Sequence, residues 1–523
     1  MRGVDMHQQI LDAHDPHLPA FYQAGKAVSR LELNTASQQA ASFLWEMGLR
    51  RGDTVAVWLP DGAIWLQLLF GAAQLGVLVV PVSTRLRTAE ALHIVNTAQA
   101  RMLVVPTRFL EFDYVEAAQA IQESVAAVRH VIDVPVSGEF MWGTFAPREV
   151  GDGTGDGTDP WCTFSTSGTT GKPKLAMHTQ AGIVTHALNV ARATDMQPGD
   201  ATLCALPLYG VMGFVLAIST LAAGAACVFL PVFKAQAAAE AIERHEVTHF
   251  YGSDAMLDMV LGVPGRNLAS WRRGGFAEFA GLGSRITQKA WADWNVPLTA
   301  IYGMSECFAL AALRDVDTDA EERRLAGGLP VSPDISFRIA DPVTGEPLAD
   351  GEQGELQLRG YNAMAGYLNN PSATADAFTA DGWLRTGDLA RAQGGAFQYL
   401  SRLKDTLRLR GYLVDPVEIE EFLVTHPAVA AAQVVGVHQE GEGDVAVAFI
   451  RTGQGHASEA ELLDFCKRGI AGFKVPRRIV ALDSFPQVDG PNGVKILKHV
   501  LRDIAKGHLQ TASAPQDNTR KTS

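Results

Sequence analysis

Cys162-Thr163-Phe164-Ser165-Thr166-Ser167-Gly168-Thr169-Thr170-Gly171-Lys172-Pro173-Lys174 holds two glycines, six small hydroxyl residues and two lysines in one short segment. That mixture suits a polyphosphate. Glycines let the backbone approach closely, N–H groups and hydroxyls point at oxygens, and lysine balances charge. It is not a Walker A loop, which needs four residues between its glycines and Ser or Thr directly after the lysine. Here only Thr169 and Thr170 separate Gly168 from Gly171, and Pro173 follows Lys172. The segment therefore says phosphate and argues against the common P-loop NTPase fold.

The whole chain agrees with a small-molecule enzyme. At 523 residues it is too long for one ordinary core. It is 47% hydrophobic and 19% charged, with a formal net charge of −13, which disfavours a nucleic-acid surface. The five cysteines are scattered and lack metal-type spacing, so a reducing cytoplasm fits. Val211–Leu230 carries no charge, but Gly213, Ser219, Thr220 and Gly224 interrupt it and Pro231 closes it. It reads as a buried helix to about Ala223, a glycine stop and a strand Ala226–Leu230, with no transmembrane segment. Trp65–Leu75, Gly76 and Val77–Val80 repeat that grammar. Two such units imply buried parallel strands and an α/β protein.

Along the chain, residues up to about Arg30 read as an irregular start, followed by a helix Thr35–Met47 and a strand Thr54–Leu59. Gly151–Pro160 reads as a flexible polar linker before the phosphate loop. Beyond Gly327 short strands (Ile335–Ile339, Gly354–Arg359, Phe397–Tyr399) predict a small β-rich lobe. After the charged break Ser401–Asp405, helices Pro416–Thr425 and Ser458–Gly469 alternate with strands Val429–Val437 and Val445–Ile450. The expected organisation is an α/β domain over 1–401 with its β-rich lobe from about 327, a small mobile α+β domain over 402–506, and a disordered tail over 507–523.

The loop Thr166–Lys174 resembles the phosphate loop of the adenylate-forming superfamily, which includes acyl-CoA synthetases, luciferases and peptide-synthetase adenylation domains. Four further stretches follow in that superfamily's order. Tyr302-Gly303-Met304-Ser305-Glu306 is similar to its Tyr-Gly-x-Thr/Ser-Glu motif, and Trp383–Asp388 to its Thr-Gly-Asp motif. Arg402-Leu403-Lys404-Asp405 with Gly411-Tyr412 resembles its hinge and C-terminal entry. Asn492-Gly493-Val494-Lys495-Ile496 resembles its Gly-Lys stretch, with Val494 inserted. The resemblance runs from about 30 to 505.

It implies that a carboxylate attacks the α-phosphate of ATP, giving acyl-AMP and pyrophosphate, before a thiol or other nucleophile displaces AMP. In that scheme Thr166, Ser167, Gly168, Thr169, Thr170, Gly171 and Lys174 hold the β- and γ-phosphates. Glu306, with Thr169, holds Mg²⁺. Tyr302 lies against adenine, Gly303 belongs to the same ATP-binding stretch, Ser305 lies near the α-phosphate, and Asp388 with Arg402 on the ribose. Lys495 bridges carboxylate and α-phosphate as the adenylation lysine, with Lys498 as the weaker alternative. Lys404 is the hinge. Arg408, Arg410, Gly411 and Tyr412 line the CoA tunnel, although Arg408 and Arg410 also read as a solvated strand face.

The acyl pocket is assigned to Tyr209, Gly210, Gly213, Phe214, Tyr251, Asp254, Gly281 and Gly283. Gly210 stands where many relatives carry His. Asp254 reads either as a ligand for a polar substituent or as a helix cap. The lining is apolar, so the expected substrate is a compact hydrophobic acid: aromatic, heteroaromatic, alicyclic or medium-chain. An acid–CoA ligase is the reading, with a stand-alone enzyme loading an acid or amino acid onto a carrier protein as the alternative. The expected partners are the acid, ATP and CoA, with no nucleic acid; a homodimer is one assembly open to the chain.

Overall fold

The computed structural model describes residues 8–23, 25–136, 140, 142, 155–166, 173–230, 232–403, 406–409, 412–439, 443–453, 455–490 and 493–512. The chain divides into two compact units. The first comprises Met1–Phe337, Gln357–Thr386 and Pro491–Gly493; the second comprises Arg338–Leu356, Gly387–Gly490 and Val494–Ser523.

The first unit is built on two sheets. One has seven strands in the order Gly366–Tyr367, Lys174–Thr179, Pro160–Thr166, Leu78–Pro81, Thr54–Val57, Met102–Pro106 and His130–Val134. The other contains the parallel run Leu298–Tyr302, Arg273–Ala277, His249–Ser253, Ala201–Cys204 and Ala226–Phe229, in that order. The helix–glycine–strand units sit inside these sheets. Helix Ala63–Leu75 is almost wholly buried and stops at Gly76, whose φ of +64° is left-handed. Helix Val211–Ala222 is followed by Gly224 at φ +76° and strand Ala226–Phe229. At 12 residues that helix is too short for a bilayer. Among the described residues no helix is long and apolar enough to cross a membrane.

Three expectations need correction. From Gln8 onward the described start is built of regular elements: a short helix Gln8–Leu11 precedes the hairpin Pro19–Gln23 and Lys26–Ser29, which extends the parallel sheet. Helix Arg30–Glu46 then begins at a Ser29–Glu32 capping box. Its buried Arg30 donates to the carbonyls of Ile10 and Leu221. Residues 155–160 are held too. Arg51 pairs with Asp156 and Asp159, and a Cβ on Gly155 would lie 2.4 Å from the Ala73 carbonyl oxygen. Finally, the last helix runs Lys498–Ala512, beyond the expected end at 506. Leu501, Ala505 and Leu509 bury its apolar stripe.

The second unit holds a five-stranded sheet: Tyr412–Val414, Leu407–Leu409, Gly443–Thr452 and Val429–Gln439, with Arg478–Ala481 pairing Gly443–Thr452. Helices Pro416–Val424 and Glu459–Gly469 accompany it, close to the expected bounds. The β-rich stretch is present as Ser336–Ala340, Gln353–Arg359, Leu384–Gln393 and Ala396–Arg402.

Candidate active site

The strand Leu298–Tyr302 runs into the turn Ser305–Cys307, and the chain then does something costly. Phe308, Ala309 and Leu310 all have left-handed backbones, at φ 60°, 46° and 39°. Such conformations cost about 1–2 kcal/mol per non-glycine residue and persist only where the surroundings over-determine them. Here nearly every carbonyl of the turn has its own donor. His178 Nε2 donates to Ser305 O at 2.7 Å, Asn362 Nδ2 to Cys307 O at 2.9 Å, and His186 Nε2 to Ala309 O at 2.9 Å. Met364 N donates to Glu306 O at 2.8 Å. Phe308 packs with tilted and edge-on rings against His178, His186, Phe164 and Phe214. Only glycine fits at 303, because a Cβ there would lie 2.5 Å from Ala309 Cα. A carbonyl can only accept, so both imidazoles carry their proton on Nε2. Burial pushes His178 down to about 3 and His186 down to about 4, so both are neutral at physiological pH.

On this frame sits Glu306, 7% exposed. Tyr367 donates its hydroxyl to Glu306 Oε1 at 2.7 Å. Burial, and next the Glu306 charge, raise the Tyr367 phenol well above its usual range, so it remains a donor. Lys174 Nζ lies 4.0 Å from the centre of the Tyr367 ring, a cation–π contact. Ser305 Oγ is 3.5 Å from the Ser165 carbonyl oxygen, beside Thr166. The structure thus brings together Thr166, Lys174, Ser305 and Glu306, with Tyr302 and Gly303 leading into the same turn.

The predicted acyl segments also converge, for a topological reason. The strands ending at Cys204, Ser253, Ala277 and Tyr302 are parallel neighbours, so the loops after them share one edge. In open α/β sheets that carboxyl edge is where ligands bind. Asp61 Oδ1 accepts from Leu208 N at 2.8 Å, and burial pushes its carboxyl up to about 7. Tyr209 is raised by burial as well. Gly210 caps helix Val211–Ala222 with an ordinary extended backbone. Gly213 is required by packing: its Cβ would lie 2.4 Å from the carbonyl oxygens of Leu206 and Pro207.

Three residues assigned to the pocket are otherwise engaged. Phe214 is fully buried against Phe164, Phe308 and Trp65. Tyr251 is buried, and burial pushes its phenol well above the usual range. Asp254 accepts backbone N–H groups from the loop after Ala277, so it is neither a free polar ligand nor only a helix cap. Gly281 has a left-handed φ of +72° in that loop, and Gly283 N donates to Glu278 Oε1 at 2.8 Å.

In the second unit Asp388 is buried, opposite Arg402 in an antiparallel pair, with Arg402 Nε 3.1 Å from its Oδ1. Lys498 Nζ lies 3.1 Å from Glu420 Oε1, an oxygen that also takes the Val434 N–H. Lys498 is thus engaged with Glu420, and the backbone of Lys495 lies on strand Gly493–Ile496. Ser167, Gly168, Thr169, Thr170, Gly171, Lys404, Arg410 and Gly411 lie outside the described residues, as do the side chains of Arg408, Tyr412 and Lys495. His178, His186, Asn362 and Tyr367 are the residues sequence reasoning missed. The signal for His178 was visible: one imidazole closing the apolar run Leu175-Ala176-Met177.

The AMP-binding enzyme profile matches residues 9–368, and the profile of the AMP-binding enzyme C-terminal domain matches 418–489. The chain belongs to the AMP-binding enzyme family. Feruloyl-CoA synthase of Amycolatopsis sp is 31% identical over 497 residues, covering 93% of this chain and 96% of that protein. Medium-chain acyl-CoA ligase ACSF2 of Danio rerio is 30% identical over 537 residues, covering 95% and 86%. Among solved structures, ATP-bound MatB from Rhodopseudomonas palustris superposes with a TM-score of 0.84 at 26% identity, covering 96% of this chain and 99% of that one. This AMP-binding enzyme is an AMP-forming acid–thiol ligase, an acyl-CoA synthetase, and ATP and CoA fit as its substrates.

Proposed function

We propose that this AMP-binding enzyme activates a compact hydrophobic carboxylic acid, aromatic, heteroaromatic, alicyclic or medium-chain, as its acyl-AMP and passes the acyl group to CoA. The observation that carries the reading is the cluster Lys174, Tyr367, Glu306 and Ser305, where the antiparallel strands Lys174–Thr179 and Gly366–Tyr367 of one sheet meet the turn that follows the parallel strand Leu298–Tyr302 of the other. The names feruloyl-CoA synthase and medium-chain acyl-CoA ligase support the same acid class for the relatives.

In the first half-reaction a carboxylate oxygen bonds to the α-phosphorus of ATP. The bond from that phosphorus to the bridging oxygen breaks, and pyrophosphate leaves. Two anions must meet, so the site supplies cations and positioning. The loop 166–174 holds the β- and γ-phosphates, with Tyr302 against adenine and Ser305 near the α-phosphate. Asp388 with Arg402 binds the ribose, and Lys495 stabilises charge between carboxylate and α-phosphate. Glu306 suits Mg²⁺, which takes one or two carboxylates and completes its shell with substrate phosphates. The Tyr367 hydrogen bond fixes one Glu306 oxygen and leaves the other to a metal. When bound, Mg²⁺ would neutralise phosphate charge. In the second half-reaction the CoA sulfur bonds to the acyl carbon, the bond to the AMP oxygen breaks, and the thiol proton leaves to solvent. Arg408, Arg410, Gly411 and Tyr412 are assigned to CoA, and Lys404 to the hinge between the two steps. All five cysteines are buried and none forms a disulfide, which supports a reducing, cytoplasmic location.

The test is a pyrophosphate-release screen over aromatic, alicyclic, straight-chain and dicarboxylic acids, with and without CoA. Release with ring-bearing or medium-chain acids, and acyl-CoA once CoA is added, is the expected outcome. A clear preference for dicarboxylic acids would overturn the acid class.

A further inference from the structure

After the strand Arg273–Ala277 the chain surfaces: Glu278, Phe279, Ala280 and Gly281 are exposed, between buried Phe276 and buried Gly283. Phe279 is 47% exposed, yet its backbone is tied down by the carboxylate of Asp254, a residue that is 0% exposed. Asp254 Oδ1 accepts from Phe279 N at 3.2 Å and from Ala255 N at 2.9 Å. Its Oδ2 accepts from Ala280 N at 2.9 Å and Leu282 N at 3.1 Å. A carboxylate has about four acceptor sites, and these four N–H groups use them. Hydrogen bonds to a charged acceptor are about twice as strong as neutral ones. This carboxylate therefore fixes a loop and has no capacity left for a substrate group.

The location gives the anchor its meaning. Asp254 follows the strand His249–Ser253, and the loop follows its parallel neighbour Arg273–Ala277. The next neighbour, Leu298–Tyr302, leads into the Glu306 turn. The Phe279 loop thus lies at the carboxyl edge, between Asp254 and the catalytic turn. A large aromatic ring held in water on a rigid loop there gains by covering itself with apolar substrate.

We infer that Asp254 is a positioning residue that sets acid selectivity without touching the acid, by holding the Phe279 ring where it contacts the acid's hydrocarbon part. The inference rests on the proposed acid class. Asp254→Asn keeps the shape but turns an amide –NH₂ toward backbone donors, and Phe279→Ala removes the ring while leaving the anchor.

Two measurements on the full-length enzyme test it: amide hydrogen exchange at Phe279, Ala280 and Leu282, and KM for ring-bearing acids against KM for ATP. Wild type should protect these amides although their residues are on the surface. Asp254→Asn should speed their exchange and raise the acid KM, each by about tenfold or more, with the ATP KM within about twofold. Phe279→Ala should raise the same acid KM with the amides still protected. Unprotected wild-type amides would overturn the anchor. Acid and ATP KM rising together, or an unchanged acid KM in Phe279→Ala, would overturn the selectivity role. If Asp254→Asn does not fold, the wild-type exchange and Phe279→Ala still decide. A clear preference for dicarboxylic acids in the pyrophosphate-release screen would overturn the acid class, and with it the selectivity role, while the exchange result would still report on the anchor.

Discussion

Tyr367→Phe isolates one hydroxyl. The ring that lies 4.0 Å from Lys174 Nζ stays, the packing volume is nearly unchanged, and only the 2.7 Å hydrogen bond to Glu306 Oε1 is lost. A hydrogen bond to a charged group is worth about 1.5–3 kcal/mol, and a buried carboxylate short of a donor gains nothing from water in exchange. If that bond orients Glu306 for the nucleotide, the whole amount appears in the adenylation barrier, a loss of about 10- to 150-fold in kcat/KM for ATP. The assay is acid-dependent ATP–pyrophosphate exchange across a Mg²⁺ titration, beside thioester formation from supplied acyl-AMP. The second activity should stay within about twofold. Unchanged exchange in a folded Tyr367→Phe enzyme, or equal loss of both activities, would refute the reasoning.

Three further outcomes are expected. His186→Phe leaves the Ala309 carbonyl without its donor under a left-handed backbone, so stability should fall by about 1–3 kcal/mol, read as a denaturant midpoint. Because burial holds the His178 and His186 values below those of unfolded histidine, their contribution is present above about pH 6.5 and is lost as pH falls toward 4; His186→Phe should make that acid loss shallower. Asp61 runs the other way. Its raised value contributes stability below about pH 4 that is lost as pH rises through 7, so Asp61→Asn should gain on wild type across that window by on the order of 4 kcal/mol, followed by melting temperature against pH. Lys495→Ala should abolish adenylation and largely spare thioester formation from acyl-AMP. Lys498→Ala should instead destabilise the second unit, because it strands the largely buried Glu420, and differential scanning calorimetry separates the two.

Much of this was legible in the chain. The helix–glycine–strand units were readable because an all-apolar helix, a glycine able to take positive φ and a short apolar strand leave little else to form. The nucleotide motifs were readable because each puts its chemistry in consecutive residues. What stayed hidden depends on partners far apart in sequence. Tyr367 meets Glu306 across 61 positions, and His186 meets Ala309 across 123. Asp254 looked like a cap because Ser253 and a helix adjoin it; its engagement with residues 279–282 appears only once two strands lie side by side. The capping of Arg30 by distant carbonyls hid the regular elements of the start in the same way, since a buried arginine satisfied by backbone oxygens leaves no local pattern.

Oxygen-18 in the acid's carboxylate follows the central step directly. In a single turnover with ATP and CoA, attack on the α-phosphorus followed by thiol displacement leaves one labelled oxygen in AMP, and pyrophosphate stays unlabelled. That is the predicted result. Label in inorganic phosphate with ADP as the nucleotide product, or no label in AMP, would contradict the account.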